Sequence, residues 1–416
     1  MNITTAILVL GILYFVAQGL SLQFNRTKIP DVLILMLIGI VAGPILKIVT
    51  PHHFGSVGGV LTTIAMTVIL FQSGTTLSLR ALAESAKSTL VLSLASTFAT
   101  MAIITLGAKI FLGLDFSLAL VTGAILAGTS SAVVIPMVKS LKLSEKPSTI
   151  LILESALTDV LCIVITVGLL QAMAQGSIHV GGVVERVILS LGLATVIGFA
   201  GGIVWLKLLH RVRNIEATLF TSIAYAFFLY GLSEMLGYSG AISVLAFGIT
   251  MANAPGIAKN AKLAQLTDME RLFFNELVFL LKTFFFLYLG ISMKMDQATT
   301  AVFALVLICV VFFSRFWITR FALARNISQR DAAFVAILIP KGLAAAVLAG
   351  LPAQYGIPGA DQIQNFVYAA VLISIILTAI LVPLSERPFL QNKFKRFFSA
   401  FTAPEIAHEA TNRELN

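Results

Sequence analysis

LILESALTDV, residues 151–160, places two carboxylates, Glu154 and Asp159, in a run that stays apolar for many residues on its far side. A charged side chain at the centre of a spanning helix costs about 3 kcal/mol on insertion scales, so two of them need partners or a task. The chain around them is built for a bilayer. Of 416 residues, 58% are hydrophobic and only 11% charged, with a mean hydropathy of +0.98. Soluble chains of this length carry about twice that share of charge. The fold class is therefore an all-α polytopic membrane protein. Cys162 and Cys309 are the only cysteines, both in apolar runs, so neither a disulfide framework nor a metal cluster is expected. His52 and His53, in TPHHFG, have no acidic or cysteine partner nearby and read as solvated loop residues. With no nucleophile–base pair, metal motif or cofactor motif, the chain is not expected to be an enzyme.

Apolar runs long enough for a bilayer core of roughly 30 Å recur along the chain. They fall near 3–22, 29–48, 57–79, 88–114, 116–138, 148–173, 187–209, 217–233, 235–254, 272–293, 297–322, 331–353 and 363–385. The first lacks a basic leader and is too long for a signal-peptide core, so it is expected to stay as a spanning helix. Basic residues cluster in alternate loops: Arg26/Lys28, Arg80/Lys87, Lys139/Lys142/Lys146, Lys207/Arg211/Arg213, Lys259/Lys262/Arg271 and Arg320/Arg325/Arg330. The tail adds Arg387, Lys393, Lys395 and Arg396, while the opposite loops hold only Lys47, Lys109, Arg186 and Lys294. The positive-inside rule then gives about thirteen helices, N-terminus outside and C-terminus cytoplasmic. The net charge of +9 is orientation signal, not the mark of a nucleic-acid partner. Residues 387–416 read as a short cytoplasmic tail, with KFKRFF as an interfacial anchor to anionic lipid.

Thirteen helices divide as six, one and six. The transmembrane domain, 1–386, then holds a repeat at about 3–173, a linker helix at about 187–209 and a second repeat at about 217–385. One linker helix inverts the second set, the arrangement of inverted-repeat transporters. The fifth and twelfth segments become counterparts, and each carries a break. ILAGTSSAVVIPMV has Gly128, a Thr-Ser-Ser run and Pro136; ILIPKGLAAAVLAG has Pro340, Lys341 and Gly342. Proline removes a backbone donor and glycine loosens the helix, which frees polar backbone at mid-depth. Two crossed broken helices in matching positions point to a substrate site there. Gly39/Gly43 and Gly198/Gly202 fit close helix packing, and LKTFFFLYLG fits lipid-facing or packing surface.

Five charged side chains fall well inside these segments: Glu154, Asp159, Lys282, Arg315 and Lys341. Counting 1.5 Å per residue from the cytoplasmic end sets Glu154 about 10 Å deep and Asp159 about 17 Å deep. Arg315 lies in the cytoplasmic half of the eleventh segment, so it matches Glu154 in depth and sign as a structural ion pair. Asp159 lies near the midplane with the breaks. Ser155 is one turn before it, on the same face. Thr158, Thr129, Ser130 and Ser131 add hydroxyls. A carboxylate among hydroxyl and carbonyl oxygens suits a hard alkali cation. Lys282 and Lys341 could each neutralise Asp159. Lys341 reads instead as offsetting the half-helix C-terminal dipoles where the broken helices cross, and Lys282 could snorkel or pair with a carbonyl.

On these residues the sequence resembles the monovalent cation–proton antiporter superfamily, most closely its sodium/proton exchanger branch. IPDVLILMLIGIVAGP (29–44) resembles the family's second helix, GYSGAISVLAFGITMAN (237–253) its ninth, and PKGLAAAVLA (340–349) its twelfth, with Lys341 where arginine is common. LESALTDV resembles the Glu-Ser-x-x-Asn-Asp signature through Glu154, Ser155 and Asp159, with Thr158 in the asparagine position. Arg315 stands where the family arginine pairs with that glutamate. Two departures remove charge. Ser130 and Ser131 follow Thr129 where exchangers carry Asp-Pro, a form leaning toward the potassium-efflux branch, and Gln72 stands at what looks like a glutamate position.

The expected activity is exchange of a monovalent cation, Na⁺ or K⁺, for protons. Desolvation penalises an ionised carboxylate at mid-membrane, so proton and cation compete for Asp159. With Asp159 as sole carrier the exchange would be electroneutral, and a mobile core would carry the site past a fixed dimerisation bundle in a homodimer. No cofactor and no metal beyond the transported cation are expected, and the location expected is the bacterial inner membrane. The alternatives are a sodium-coupled organic-solute symporter and a potassium-efflux channel, the latter calling for a cytosolic ligand-binding domain.

Overall fold

The protein is described from a computed structural model covering residues 11–12, 14–20, 29–50, 57–77, 79, 86–174, 180–212, 219–254, 267–294 and 298–401. All regular structure among these residues is helical. Helix α1, Asp31–Ile40, runs on through a π-helical stretch, Val41–Ile45, around Pro44. It is followed by α2 (Val57–Thr76), α3 (Ala86–Phe111), α4 (Phe116–Ile125), α5 (Ser131–Leu141), α6 (Glu145–Ala174), α7 (Val180–Val212), α8 (Thr221–Met235) and α9 (Gly240–Ala252). Then come α10 (Asp268–Ser292), α11 (Ala298–Ala322), α12 (Gln329–Ile337), α13 (Leu343–Leu348), α14 (Leu351–Gln354), α15 (Ala360–Ser385) and α16 (Pro388–Phe397). Among the described residues, six stretches are long and apolar enough to cross a membrane: Lys87–Phe111, Glu145–Ala174, Gly192–Leu209, Met269–Ser292, Thr299–Ala322 and Ala360–Ser385. The histidine pair at 52–53 and the end of the tail, 402–416, lie outside the described residues.

Local chemistry sets the interruptions. α4 stops at Ile125, the chain is non-helical through Ser130, and α5 resumes at Ser131. α12 is capped at its start by Ser328, which accepts from the Asp331 N–H, and gives out at Ile337. Pro340 has no N–H to donate and keeps the residue before it out of helical geometry, so helix returns only at Leu343. The boundary expected at Glu234 shifts: Glu234 belongs to α8, and the turn is made by Gly237 at φ +80°. The Glu234 carboxylate instead accepts from the Gly240 N–H at 2.8 Å, joining α8 to the start of α9.

The helices pack as two groups. α1, α2, α8, α9 and α10 contact one another, and α7 lies against α9. α3–α6, α11–α13 and α15 form the other group. Glycine allows several close crossings in the first group. A Cβ at Gly39 would fall 2.2 Å from the Leu287 carbonyl, and one at Gly198 2.0 Å from that of Ser243. Of the FFF cluster on α10, Phe285 and Phe286 are buried.

The tail departs from the lipid-anchor reading. Phe316 of α11 stacks on Phe394 of α16 with centroids 5.6 Å apart, and Phe398 and Phe401 are buried. Arg320 lies over the Phe397 ring and donates to its carbonyl. Lys393, Lys395 and Arg396 stay exposed. The aromatic residues of the tail thus dock onto protein, because α16 is amphipathic and its apolar side finds α11.

Candidate ion-binding site

The two interruptions meet. The Ser130 N–H donates to the Pro340 carbonyl at 2.8 Å, one freed backbone group satisfying another. Gly342 makes room for this contact, since a Cβ there would sit 2.0 Å from Ser130 Oγ. Lys341 is buried at the junction. Its Nζ donates to the Gly128 carbonyl at 3.1 Å, just beyond the C-terminal end of α4, and its N–H donates to Ser374 Oγ at 2.8 Å. An ammonium there faces the negative end of the α4 dipole.

Helix α6 brings Asp159 to this junction. Ser131 Oγ, at the first turn of α5, donates to Asp159 Oδ2 at 2.7 Å. Thr158 Oγ1 accepts from the Thr129 N–H at 3.1 Å and so pins the extended stretch to α6. Gly128 packs against α6, where a Cβ would fall 2.8 Å from Cys162 Sγ. Ser155 is buried and turns its hydroxyl back to the Ile152 carbonyl at 3.0 Å. It therefore shares a helix face with Asp159 without presenting its oxygen beside the carboxylate. Ser130 Oγ is buried and has no hydrogen-bond partner among the described residues. Of the hydroxyls singled out in sequence, Ser131 is the one that touches Asp159.

Glu154 and Arg315 lie one turn away and meet at two points. Arg315 Nη1 donates to Oε1 at 2.7 Å and Nη2 to Oε2 at 2.6 Å. Arg315 also donates to the Val335 carbonyl, at 3.3 Å from Nε and 3.2 Å from Nη2, and to Ser96 Oγ. Both partners are essentially sealed from solvent, at 1% and 0% exposure. The guanidinium thus clamps α11, α6, α3 and the end of α12 together, with its donors used on oxygen.

Asp159 lies on the wall of a cavity of about 480 Å³. It is lined by α5, α6 and α13 together with α2 and α10. α2 and α10 contribute Gln72, Asn275 and Lys282. Gln72 Nε2 donates to Asn275 Oδ1 at 2.9 Å. Lys282 Nζ makes an ion pair with Asp31 Oδ2 at 2.9 Å. Among the described residues no ion pair within 4.0 Å joins Asp159 to Lys282 or Lys341. Asp31 and Asn275 were not singled out in the sequence. Asp31 follows Pro30 at a helix start, where an acid is ordinary, and Asn275 carries no charge. A smaller cavity of about 200 Å³ shares Gln72, Thr76 and Asn275 and reaches Arg271, near the start of α10. A carboxylate with a neutral hydroxyl oxygen beside it at a cavity wall is a donor set that suits a proton or a hard cation.

Residues 10–391 match the family model described as sodium/hydrogen exchanger, transmembrane. The chain belongs to the sodium/hydrogen exchanger family. This is a family of transporters, not of enzymes. Among curated relatives, the K(+)/H(+) antiporter NhaP2 of Shewanella baltica is 24% identical over 386 residues, covering 90% of this chain and 65% of the relative. Sodium/hydrogen exchanger 8 of Arabidopsis thaliana is 26% identical over 280 residues, covering 62% of this chain and 36% of the relative. The chain thus spans about two thirds, 65%, of the length of its Shewanella relatives. The fold is similar to that of the sodium proton antiporter MjNhaP1 from Methanocaldococcus jannaschii, with TM-score 0.74 and 22% identity, covering 91% of this chain and all of that one.

Proposed function

We propose that this exchanger-family protein transports a monovalent cation, Na⁺ or K⁺, in exchange for protons, with Asp159 as the group both compete for. The observation that carries this reading is Asp159 itself, hydrogen-bonded to Ser131 at the wall of a cavity beside two abutting helix interruptions. Helix ends and freed backbone at membrane depth occur where they serve a cavity or a site. The relatives named for K⁺/H⁺ and Na⁺/H⁺ exchange support the cation class. The loss of acid at Gln72 and at Ser130–Ser131 leaves one carboxylate for the cycle, which supports one-for-one, electroneutral exchange.

The architecture proposed is about thirteen spanning helices, with two six-helix inverted repeats (3–173 and 217–385), a linker at 187–209 and the crossed broken pairs α4/α5 and α12/α13. The group holding α3–α6, α11–α13 and α15 is the moving core in an elevator-type cycle. The group holding α1, α2 and α8–α10 is the fixed, dimerising bundle. Glu154–Arg315 buttresses the core and Lys341 offsets the dipole end at the crossing. With basic loops cytoplasmic in a bacterial inner membrane, the cavity near the start of α10 opens inward. The test is a pH-dye assay in proteoliposomes given Na⁺, K⁺ and Li⁺ in turn. Dequenching by an alkali cation that is insensitive to a clamped membrane potential is expected. Silence with all three, or uptake of an organic anion instead, would overturn the reading, the latter in favour of the symporter.

A further inference from the structure

Lys282 and Asp159 line one cavity without pairing. Each sits 14 residues beyond the start of a helix, Lys282 after Asp268 and Asp159 after Glu145, both of which leave basic loops. At 1.5 Å per residue that is about 21 Å for both, so in the proposed topology they stand at one depth. A lysine ammonium on a flexible four-carbon stem beside a lone carboxylate is a ready-made internal counter-ion. It would compete with any transported cation.

Asp31 is placed to prevent this. Its Oδ2 takes the Lys282 ammonium at 2.9 Å, while its Oδ1 accepts the Val32 N–H at 2.9 Å. The carboxylate is therefore held from two sides, in the first turn of α1 where the helix dipole favours negative charge. Helix α1 is in turn set against α10. Cβ atoms at Gly39 and Gly290 would meet the opposing backbone at 2.2 Å, so the two helices have little room to slide. The Phe279 ring, 5.3 Å from Lys282 Nζ, adds a second hold. Asp31 itself is not on the cavity wall.

We propose that Asp31 is a positioning residue that tethers Lys282 and cancels its charge, so that the transported cation, not a side-chain ammonium, is the counter-ion of Asp159. The proposal rests on the assignment of Asp159 as the exchange site. Two unit charges roughly 10 Å apart at an effective dielectric of about 20 alter an equilibrium roughly tenfold, which sets the size of the effect.

The test is a double-mutant cycle in proteoliposomes, with Na⁺ and K⁺ as the probes. Asp31→Asn should raise the cation KM about tenfold while leaving the maximal rate near wild type. Lys282→Gln should leave KM unchanged or lower it, and the pair D31N/K282Q should return KM to the wild-type value. Asp31→Glu, which keeps the tether, should resemble wild type. A structural role alone would lower yield and rate in both single variants without raising KM in D31N and restoring it in D31N/K282Q. A wild-type KM in D31N, or the raised KM persisting in D31N/K282Q, would overturn the proposal. If D31N does not fold, a tenfold rise of KM in K282Q or in the double variant overturns it, and wild-type or lower values in both support it. Asp159→Asn run alongside separates the two readings, because exchange surviving there defeats the site assignment and not the tether.

Discussion

Removing Arg315 alone should destabilise the protein more than removing both halves of the Glu154–Arg315 pair. Arg315→Met would leave the Glu154 carboxylate buried at 0% exposure with neither of its two Arg315 donors, and would strip two donated hydrogen bonds from the Val335 carbonyl. Breaking a buried pair from one side costs about 3–5 kcal/mol, because a charge is left without compensation. Glu154→Gln is milder, since the amide still accepts from one Nη and Arg315 keeps Val335 and Ser96. In E154Q/R315M no isolated charge remains, so the coupling between the sites should recover about 2–3 kcal/mol, the upper range for residues in direct contact. The assay is thermal melting of detergent-solubilised protein followed by size-exclusion fluorescence. The double variant should melt above R315M. A double variant that melts at or below the strictly additive value would refute the account of Arg315 as a clamp whose main partner is Glu154.

Three further outcomes follow from the packing and the site. Gly342→Ala should abolish folding or transport, because its Cβ would stand 2.0 Å from Ser130 Oγ, and S130G/G342A should recover folded yield by clearing that atom. Ser131→Ala should raise the cation KM roughly tenfold in the dye assay, the size of one hydrogen bond to a charged group. Phe398→Ala should release the tail helix, read as faster proteolysis within 388–401, since Phe398 is fully buried and Phe→Ala in a core costs about 3–5 kcal/mol.

What could be read from the sequence tracks how far position along a helix determines position in space. Glu154 and Arg315 lie in long, continuous helices, so counting residues from loops of known charge brings them to one level, and the structure joins them at 2.6 Å. The same count fails for Lys282. Its partner Asp31 starts a short helix, and nothing in the local sequence ties that start to the middle of α10. The hydroxyls around Asp159 divide for a related reason. Ser155 is fixed on the right face by helical spacing, but its hydroxyl prefers the Ile152 carbonyl, a backbone competition that spacing does not report. Ser131 reaches Asp159 only because α5 restarts at that residue, a boundary set by how the two interruptions abut. Gln72 reads in sequence as a lone polar residue, because its partner Asn275 lies 203 positions away on α10. The tail reads in sequence as a membrane anchor because its basic residues are obvious, whereas the docking of Phe394 and Phe398 depends on where α11 presents Phe316.

In the proposed cycle Asp159 alone carries proton and cation in turn. The most direct test is Asp159→Asn in proteoliposomes under an imposed pH gradient, with folding verified by melting behaviour close to wild type. The expected result is complete loss of cation-driven dequenching for every alkali cation that the wild-type protein moves. Full pH-gradient-driven exchange in a folded Asp159→Asn protein would contradict it.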